Sequence, residues 1–185
     1  EDAVSAFGVV CAEKLAGPGD KEAAIRAPLE GLLGAAGIAL TVKAVFHDEV
    51  RDTERQVRPD YGVSVNGAIT GYVEVKAPGR TINPAVFRGH DLRQWERQRD
   101  LPNLLYTNGT EWRLYRDSEP AGEPVTFTGG PLESAKDGLK APAEIESMNT
   151  DFLRYAPAPI PYVSSLVRAV RPPTPLLRGG FTDQP

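Results

Sequence analysis

The sequence predicts an α/β domain, a central mixed β-sheet flanked by helices, on three observations. Residues 3–36 space their apolar positions as helices do. From residue 40 the pattern changes to strand-like segments: two alternating ones flank Asn66-Gly67, a strong hairpin signal, and a second strand pair lies around Asn108-Gly109. Between those pairs lies a polar segment of helical length, residues 89–100. The order helix, helix, strand, hairpin, helix, strand pair calls for a mixed sheet with helices packed against it.

Taken in order, residues 3–16 (AVSAFGVVCAEKLA) place Ala3, Phe7, Val10 and Leu15 near one helix face, and Gly17-Pro18-Gly19 ends the helix. Asp20 is suited to cap a second helix running to about Ala36. Ile25, Leu29, Leu32, Leu33 and Ala36 form its apolar stripe, Pro28 should bend it or delay its start, and Gly37 is suited to end it. Residues 40–48 (LTVKAVFHD) read as a strand and the charged stretch 49–58 as a loop or strand extension. Residues 60–65 and 69–76 make the first hairpin, which Pro78 and Gly79 stop. Residues 103–107 and 111–116 make the second strand pair, 117–131 read as loop, and 141–155 as a helix with Pro142 near its start. Residues 1–155 form the domain; 156–185 are a proline-rich connector and tail leading toward a further domain, with a short helix at 163–170.

The 185 residues suffice for one domain, which at this size buries roughly 70% of its unfolded surface. Hydrophobic residues at 41% and charged residues at 25% are ordinary for a globular chain. The single cysteine, Cys11, rules out an internal disulfide or a thiolate zinc cluster and reads as a small buried hydrophobe of a cytoplasmic protein. No stretch approaches the ~20 apolar residues of a membrane span, and no signal-peptide pattern opens the chain. Beginning at Glu1, it reads as a piece of something larger. The net charge of −4 disfavours a nucleic-acid partner. Against that, Arg88, Arg93, Arg97 and Arg99 lie close together, and carboxylates that hold cations are neutralised when the metal binds.

The first hairpin decides where the carboxylates point. Side chains alternate faces along a strand. Tyr61, Val63 and Val65 form the apolar face of one strand and Ile69, Val73 and Val75 that of the other, and both sets must meet one core. A two-residue Asn-Gly turn would pair Val65 with Ala68 and separate the sets. A three-residue loop, or a bulge at Gly62 or Gly71, pairs Val65 with Ile69 and Tyr61 with Val73. Asp60 then stands opposite Glu74, with Lys76 on the same face. Two neighbouring carboxylates repel, and a divalent cation relieves the repulsion. Bound Mg²⁺ activates water and stabilises charge growing on a phosphate, and a lysine beside it orients the water, helps deprotonate it, or stabilises that charge. The competing reading of the same geometry is a surface patch of cross-strand charge pairs.

These residues resemble the signature of the PD-(D/E)XK nuclease superfamily, with Pro59-Asp60 opening one strand and Glu74-Val75-Lys76 on the next. The stretches EAAIRAPLEGLL (22–33), YVEVKAPG (72–79) and LPNLLYTNGTEWRLYR (101–116) look like the nuclease domain fused to adenine-N6 methyltransferases in single-polypeptide restriction–modification enzymes, over roughly residues 20–116. The resemblance implies a restriction-endonuclease-like fold and a DNA endonuclease dependent on Mg²⁺, with Mn²⁺ as a substitute. It implies a role in restriction–modification or phage defence, linked or associated methyltransferase and specificity domains, and a homodimer for double-strand cleavage. It implies Asp60 and Glu74 as metal ligands with the Val75 carbonyl as a further one, and Lys76 as the catalytic lysine. Glu22 becomes the first-helix acid, with Glu30 its rival, and Gln94 the glutamine after the motif. Gln98 stands where many relatives have a tyrosine.

Arg93, Arg97 and Arg99 could hold a DNA backbone with Trp95 stacking; the competing reading is a solvated helix face with Trp95 packed on the sheet. His47 and His90 lack Cys or His neighbours and read as non-ligands. Gly129-Gly130 and Gly179-Gly180 lack the Lys-Ser/Thr of a phosphate loop. Three other functions compete: an inactive nucleic-acid-binding module of the same fold, a repair or recombination nuclease (exonuclease or junction resolvase), and a structural domain carrying surface charge.

Overall fold

The computed structural model describes residues 3–52, 56–135 and 138–156. In chain order these form α1 (Ala3–Leu15), α2 (Lys21–Ala39), β1 (Ala44–Asp48), β2 (Tyr61–Val65), β3 (Ala68–Val75), α3 (Gly89–Gln98), β4 (Leu104–Thr107), β5 (Glu111–Arg116), β6 (Glu119–Pro120), β7 (Val125–Thr126) and α4 (Glu144–Leu153). Short 3-10 turns lie at Pro84–Val86 and Leu132–Ser134. The strands make one sheet in the order β1-β2-β3-β4-β5-β6, with β7 beside β5. β3 and β4 run parallel and the other neighbours antiparallel. Residues 76–103 carry α3 across one face between β3 and β4, the crossover that a parallel pair needs.

Both faces of the sheet are covered. Phe7 and Cys11 of α1, Ile25, Leu29 and Leu33 of α2, and Phe152 of α4 share a core with Tyr61, Val63, Val73, Val75 and Leu105. On the other face Trp95 of α3 packs with Leu104, Tyr106 and Tyr115, joined by Val57, Ile82, Phe87 and Leu101 from the loops. β4 is buried at every position, as a strand covered on both faces must be. Asp20 caps α2 as expected, its side chain accepting from Ala23 N at 2.9 Å.

Several local expectations are corrected. The buried stripe of α1 is Val4, Phe7, Gly8, Cys11 and Ala12, and Val10 is 40% exposed. α2 starts at Lys21 despite Pro28 and passes through Gly37 to a cap at Leu40. Gly37 serves close approach, since a Cβ there would lie 3.0 Å from the Val42 carbonyl oxygen, and Thr41 adopts the positive φ of 57° that turns the chain. Residues 40–43 therefore belong to that turn and the strand begins at Ala44. β6 and β7 occupy part of 117–131, which reads as loop. The short helix at 163–170 and the tail at 171–185 fall outside the described residues.

The hairpin register also departs from expectation. Asn66 and Gly67 both take positive φ, 53° and 86°, the backbone of a two-residue turn whose twist suits the strands. Val65 accordingly pairs with Ala68, not with Ile69. The register then shifts, so that Val63 pairs with Gly71 and Tyr61 with Val73, leaving Thr70 as the extra residue of a bulge. Ile69 is 44% exposed and takes no part in the core. The bulge lies beside Gly71, where a Cβ would sit 2.7 Å from the Phe152 ring. Turn chemistry and core demand are thus both met, and extending the Tyr61–Val73 register by one residue sets Asp60 opposite Glu74.

Candidate active site at the hairpin end

Asp60 stands at the entry to β2, Glu74 near the end of β3, and Lys76 just past it, where its N–H continues the ladder to the Thr107 carbonyl at 2.8 Å. Asp60 Oδ2 accepts from the Val75 N–H at 2.8 Å, which ties the two hairpin strands together at the site. Lys76 Nζ donates to Glu74 Oε1 at 2.9 Å and to Gln94 Oε1 at 2.5 Å. Gln94 Nε2 donates to Glu74 Oε1 at 2.6 Å, and Gln98 Nε2 to Glu74 Oε2 at 2.8 Å. Gln94 and Gln98 stand one helical turn apart on α3, so both reach the same carboxylate. Glu74 and Lys76 are buried, at 3% and 5% exposure.

Burial governs the electrostatics. Glu74 is pushed up to about 7, first by desolvation and further by Asp60, against the opposing pull of Lys76 and Gln98. Asp60 is also raised by burial, opposed by the Val75 N–H, Arg26 and Lys76. Arg26 Nη1 lies 3.5 Å from Asp60 Oδ1. Asp91 of α3 lies 4.0 Å from Lys76 Nζ and 2.8 Å from Arg80. Two carboxylates held out of water with too little positive charge nearby are a place where a cation is favoured.

Among the described residues no group of three or more His, Cys, Asp or Glu is gathered to hold a metal. The available donors are two carboxylates and main-chain carbonyls, all oxygen. That set fits Mg²⁺, which is bound through one or two carboxylates and keeps several waters; it does not fit zinc, which prefers nitrogen and sulfur donors.

Of the rival helix acids, Glu22 is the one the fold brings here: its Oε1 accepts from the Ala77 N–H at 3.2 Å, one residue past Lys76. The Glu30 side chain is exposed and makes no hydrogen bond or ion pair with the described residues. Arg93 and Arg97 are exposed on α3 and line a cleft of about 330 Å³ with Arg58, His90, Gln94 and Gln98. Arg99 lies apart from it as the C-cap of α3, 3.8 Å from Asp100. Trp95 is buried at 8% exposure against Tyr115, ring centroids 4.7 Å apart, so it packs on the sheet and is not offered for stacking. His47 Nε2 is engaged with Ser64 Oγ at 3.0 Å.

With this geometry in hand, comparison with solved structures finds a likeness to a chain of a DrdV–DNA complex determined by cryo-electron microscopy, at a TM-score of 0.57 and 17% identity. The likeness covers 84% of this chain and 14% of that one. The two share a fold. No protein-family model matches the chain, and no curated protein sequence matches it.

Sequence reasoning missed Arg26, Arg58, Asp91 and Tyr106, and noted Gln98 only as a departure from the family pattern, without a role. Gln98 had a signal, its i, i+4 spacing from Gln94. Tyr106 had none, because its neighbourhood depends on which strand lies beside β3.

Proposed function

We propose that the chain is a metal-dependent DNA endonuclease domain of the PD-(D/E)XK type, from a restriction–modification or phage-defence enzyme. The observation that carries this reading is the meeting of Asp60, Glu74 and Lys76 at one end of the hairpin, with Lys76 Nζ 2.9 Å from Glu74. A binding module or a structural domain has no need to bury a lysine and a carboxylate together beside a second carboxylate. The fold likeness to a chain from a complex with DNA supports DNA as the substrate.

Asp60 and Glu74 would hold the Mg²⁺, with the Val75 carbonyl as a further ligand and Mn²⁺ as a substitute. The bound ion supplies activation of a water and stabilisation of charge on the phosphate. Lys76, aimed by Glu74 and Gln94, brings a positive charge to the attacked phosphate. Glu22 braces the chain just after Lys76 through the Ala77 N–H. Arg93 and Arg97, with Arg58 across the cleft, meet backbone phosphates on the approach to the site. Linked methyltransferase and specificity domains, and dimerisation for double-strand cleavage, belong to the same reading.

The test is nicking of supercoiled plasmid by this chain with Mg²⁺, Mn²⁺ or EDTA, beside Asp60→Ala and Lys76→Ala. Metal-dependent nicking that both variants lose is the expected result. Absence of cleavage together with absence of Asp60-dependent metal binding would overturn it in favour of a binding module.

A further inference from the structure

Gln98 is 2% exposed, yet each of its polar atoms has a partner: Nε2 donates to Glu74 Oε2 at 2.8 Å, and Oε1 accepts from the Tyr106 hydroxyl at 2.8 Å. The chemistry fixes the direction of this chain. Ionised, as a carboxylate must be to hold a metal, Glu74 only accepts, so the amide nitrogen must face it; the amide oxygen then faces Tyr106, whose hydroxyl must donate. Burial raises the Tyr106 hydroxyl well above its ordinary range and keeps it a donor.

The anchor is rigid. Tyr106 is fully buried on β4, beside Glu74 in the parallel register. Its ring is held by Trp95 at 5.7 Å and by Phe87 and Tyr115 at 6.1 Å. Trp95 belongs to α3, one turn before Gln98, so one helix supplies both the clamp on the tyrosine and the amide that the tyrosine orients. The other two donors to Glu74 are differently placed. Lys76 and Gln94 share Oε1, and Lys76 is the residue that must also serve substrate. Among the described residues Oε2 is held by Gln98 alone, from the buried floor of the cleft.

Resting on the metal-dependent reading above, we infer that Gln98, oriented by Tyr106, is a positioning residue that locks the Glu74 carboxylate in the rotamer that binds the metal. Gln98 touches neither metal nor DNA. It acts by fixing one oxygen of Glu74 so that the other is presented, as outer hydrogen bonds do for carboxylate ligands generally.

The experiment uses the whole chain with Mn²⁺ as the probe. Mn²⁺ affinity is measured by calorimetry, and metal-free thermal unfolding is followed in parallel, for wild type, Asp60→Ala, Gln98→Met, Tyr106→Phe and the double variant of Gln98 and Tyr106. Gln98→Met keeps the volume and removes both hydrogen bonds, but leaves a buried hydroxyl without a partner. The double variant removes that hydroxyl too and guards against simple misfolding. Gln98→Met is expected to weaken Mn²⁺ binding by about 10- to 100-fold, Tyr106→Phe by less, and the double variant by no more than Gln98→Met, because the two residues act in series. The double variant should unfold at or above the temperature of Gln98→Met while still binding Mn²⁺ poorly, a combination that lost packing does not produce. Wild-type affinity in Gln98→Met would overturn the inference alone. A wild-type chain that binds no Mn²⁺, or binds it without Asp60, would overturn the metal reading and this inference with it.

Discussion

Replacing Glu74 by Gln isolates the free energy held in one buried charge. Glu74 is 3% exposed, and burial moves it from 4.5 to about 7. At about 1.4 kcal/mol per unit, that gap corresponds to about 3 kcal/mol. The folded-state value is raised, so the group's contribution to stability is fully present below 4.5 and is lost as pH rises through about 7. Metal-free wild type should therefore lose about 3 kcal/mol relative to Glu74→Gln across that window, since the amide does not titrate. The assay is urea unfolding of both proteins in EDTA at a series of pH values, with the difference in unfolding free energy plotted against pH. Mg²⁺ at about 100 times its Kd should return about 2.7 kcal/mol to the wild type at neutral pH and much less to the variant. A difference that stays flat with pH would refute the claim that Glu74 is held as an under-compensated buried charge.

Further expectations concern the surroundings of the site. Arg93→Gln and Arg97→Gln should each reduce the slope of log affinity for DNA against log salt by about 0.9, while Arg99→Gln, away from the cleft, leaves it unchanged; fluorescence anisotropy over a salt series reads this. Glu22→Met, which removes the acceptor for the Ala77 N–H, should weaken plasmid nicking by loosening that backbone, and Glu30→Met should not; equal loss in both would show that the helix acid has been misplaced. Gly71→Ala should destabilise the chain by about 1–3 kcal/mol, the usual range for overpacking, because its Cβ would lie 2.7 Å from the Phe152 ring; urea unfolding measures it.

What the sequence discloses follows from which forces are local. Asn66-Gly67 and the alternation around it are local, and from them come the hairpin and the facing of Asp60, Glu74 and Lys76. Ile69 misled because hydrophobicity records a residue's character and not its direction; the bulge at Thr70 turned it outward. Val10 misled in the same way on α1. Gln94 was reached through the family resemblance, and its partner Gln98 was noticed only as a departure from it. Arg26, Asp91 and Tyr106 come to the site from α2, α3 and β4 through packing at long range. No spacing in the chain encodes which of several charged helix positions will lie over the hairpin end.

The charge distribution joins these parts and makes a last prediction. The chain carries a net charge of −4, and carboxylates collect at the centre: Asp60 and Glu74, with Asp91 beside Lys76 and Glu22 on the following backbone. Arg58, Arg93 and Arg97 line the cleft at the edge. A phosphate entering this field without a cation meets attraction at the rim and repulsion at the centre. A divalent ion between Asp60 and Glu74 cancels much of the negative charge at the centre, so the ion and the DNA should each strengthen binding of the other by the same factor. Ca²⁺, a divalent ion that occupies oxygen sites, provides the measurement: DNA affinity in Ca²⁺ against EDTA, for wild type and Asp60→Ala. The coupling is expected in the wild type and absent in the variant. DNA affinity equal in Ca²⁺ and EDTA would mean that the chain holds DNA on a surface that does not include the hairpin end.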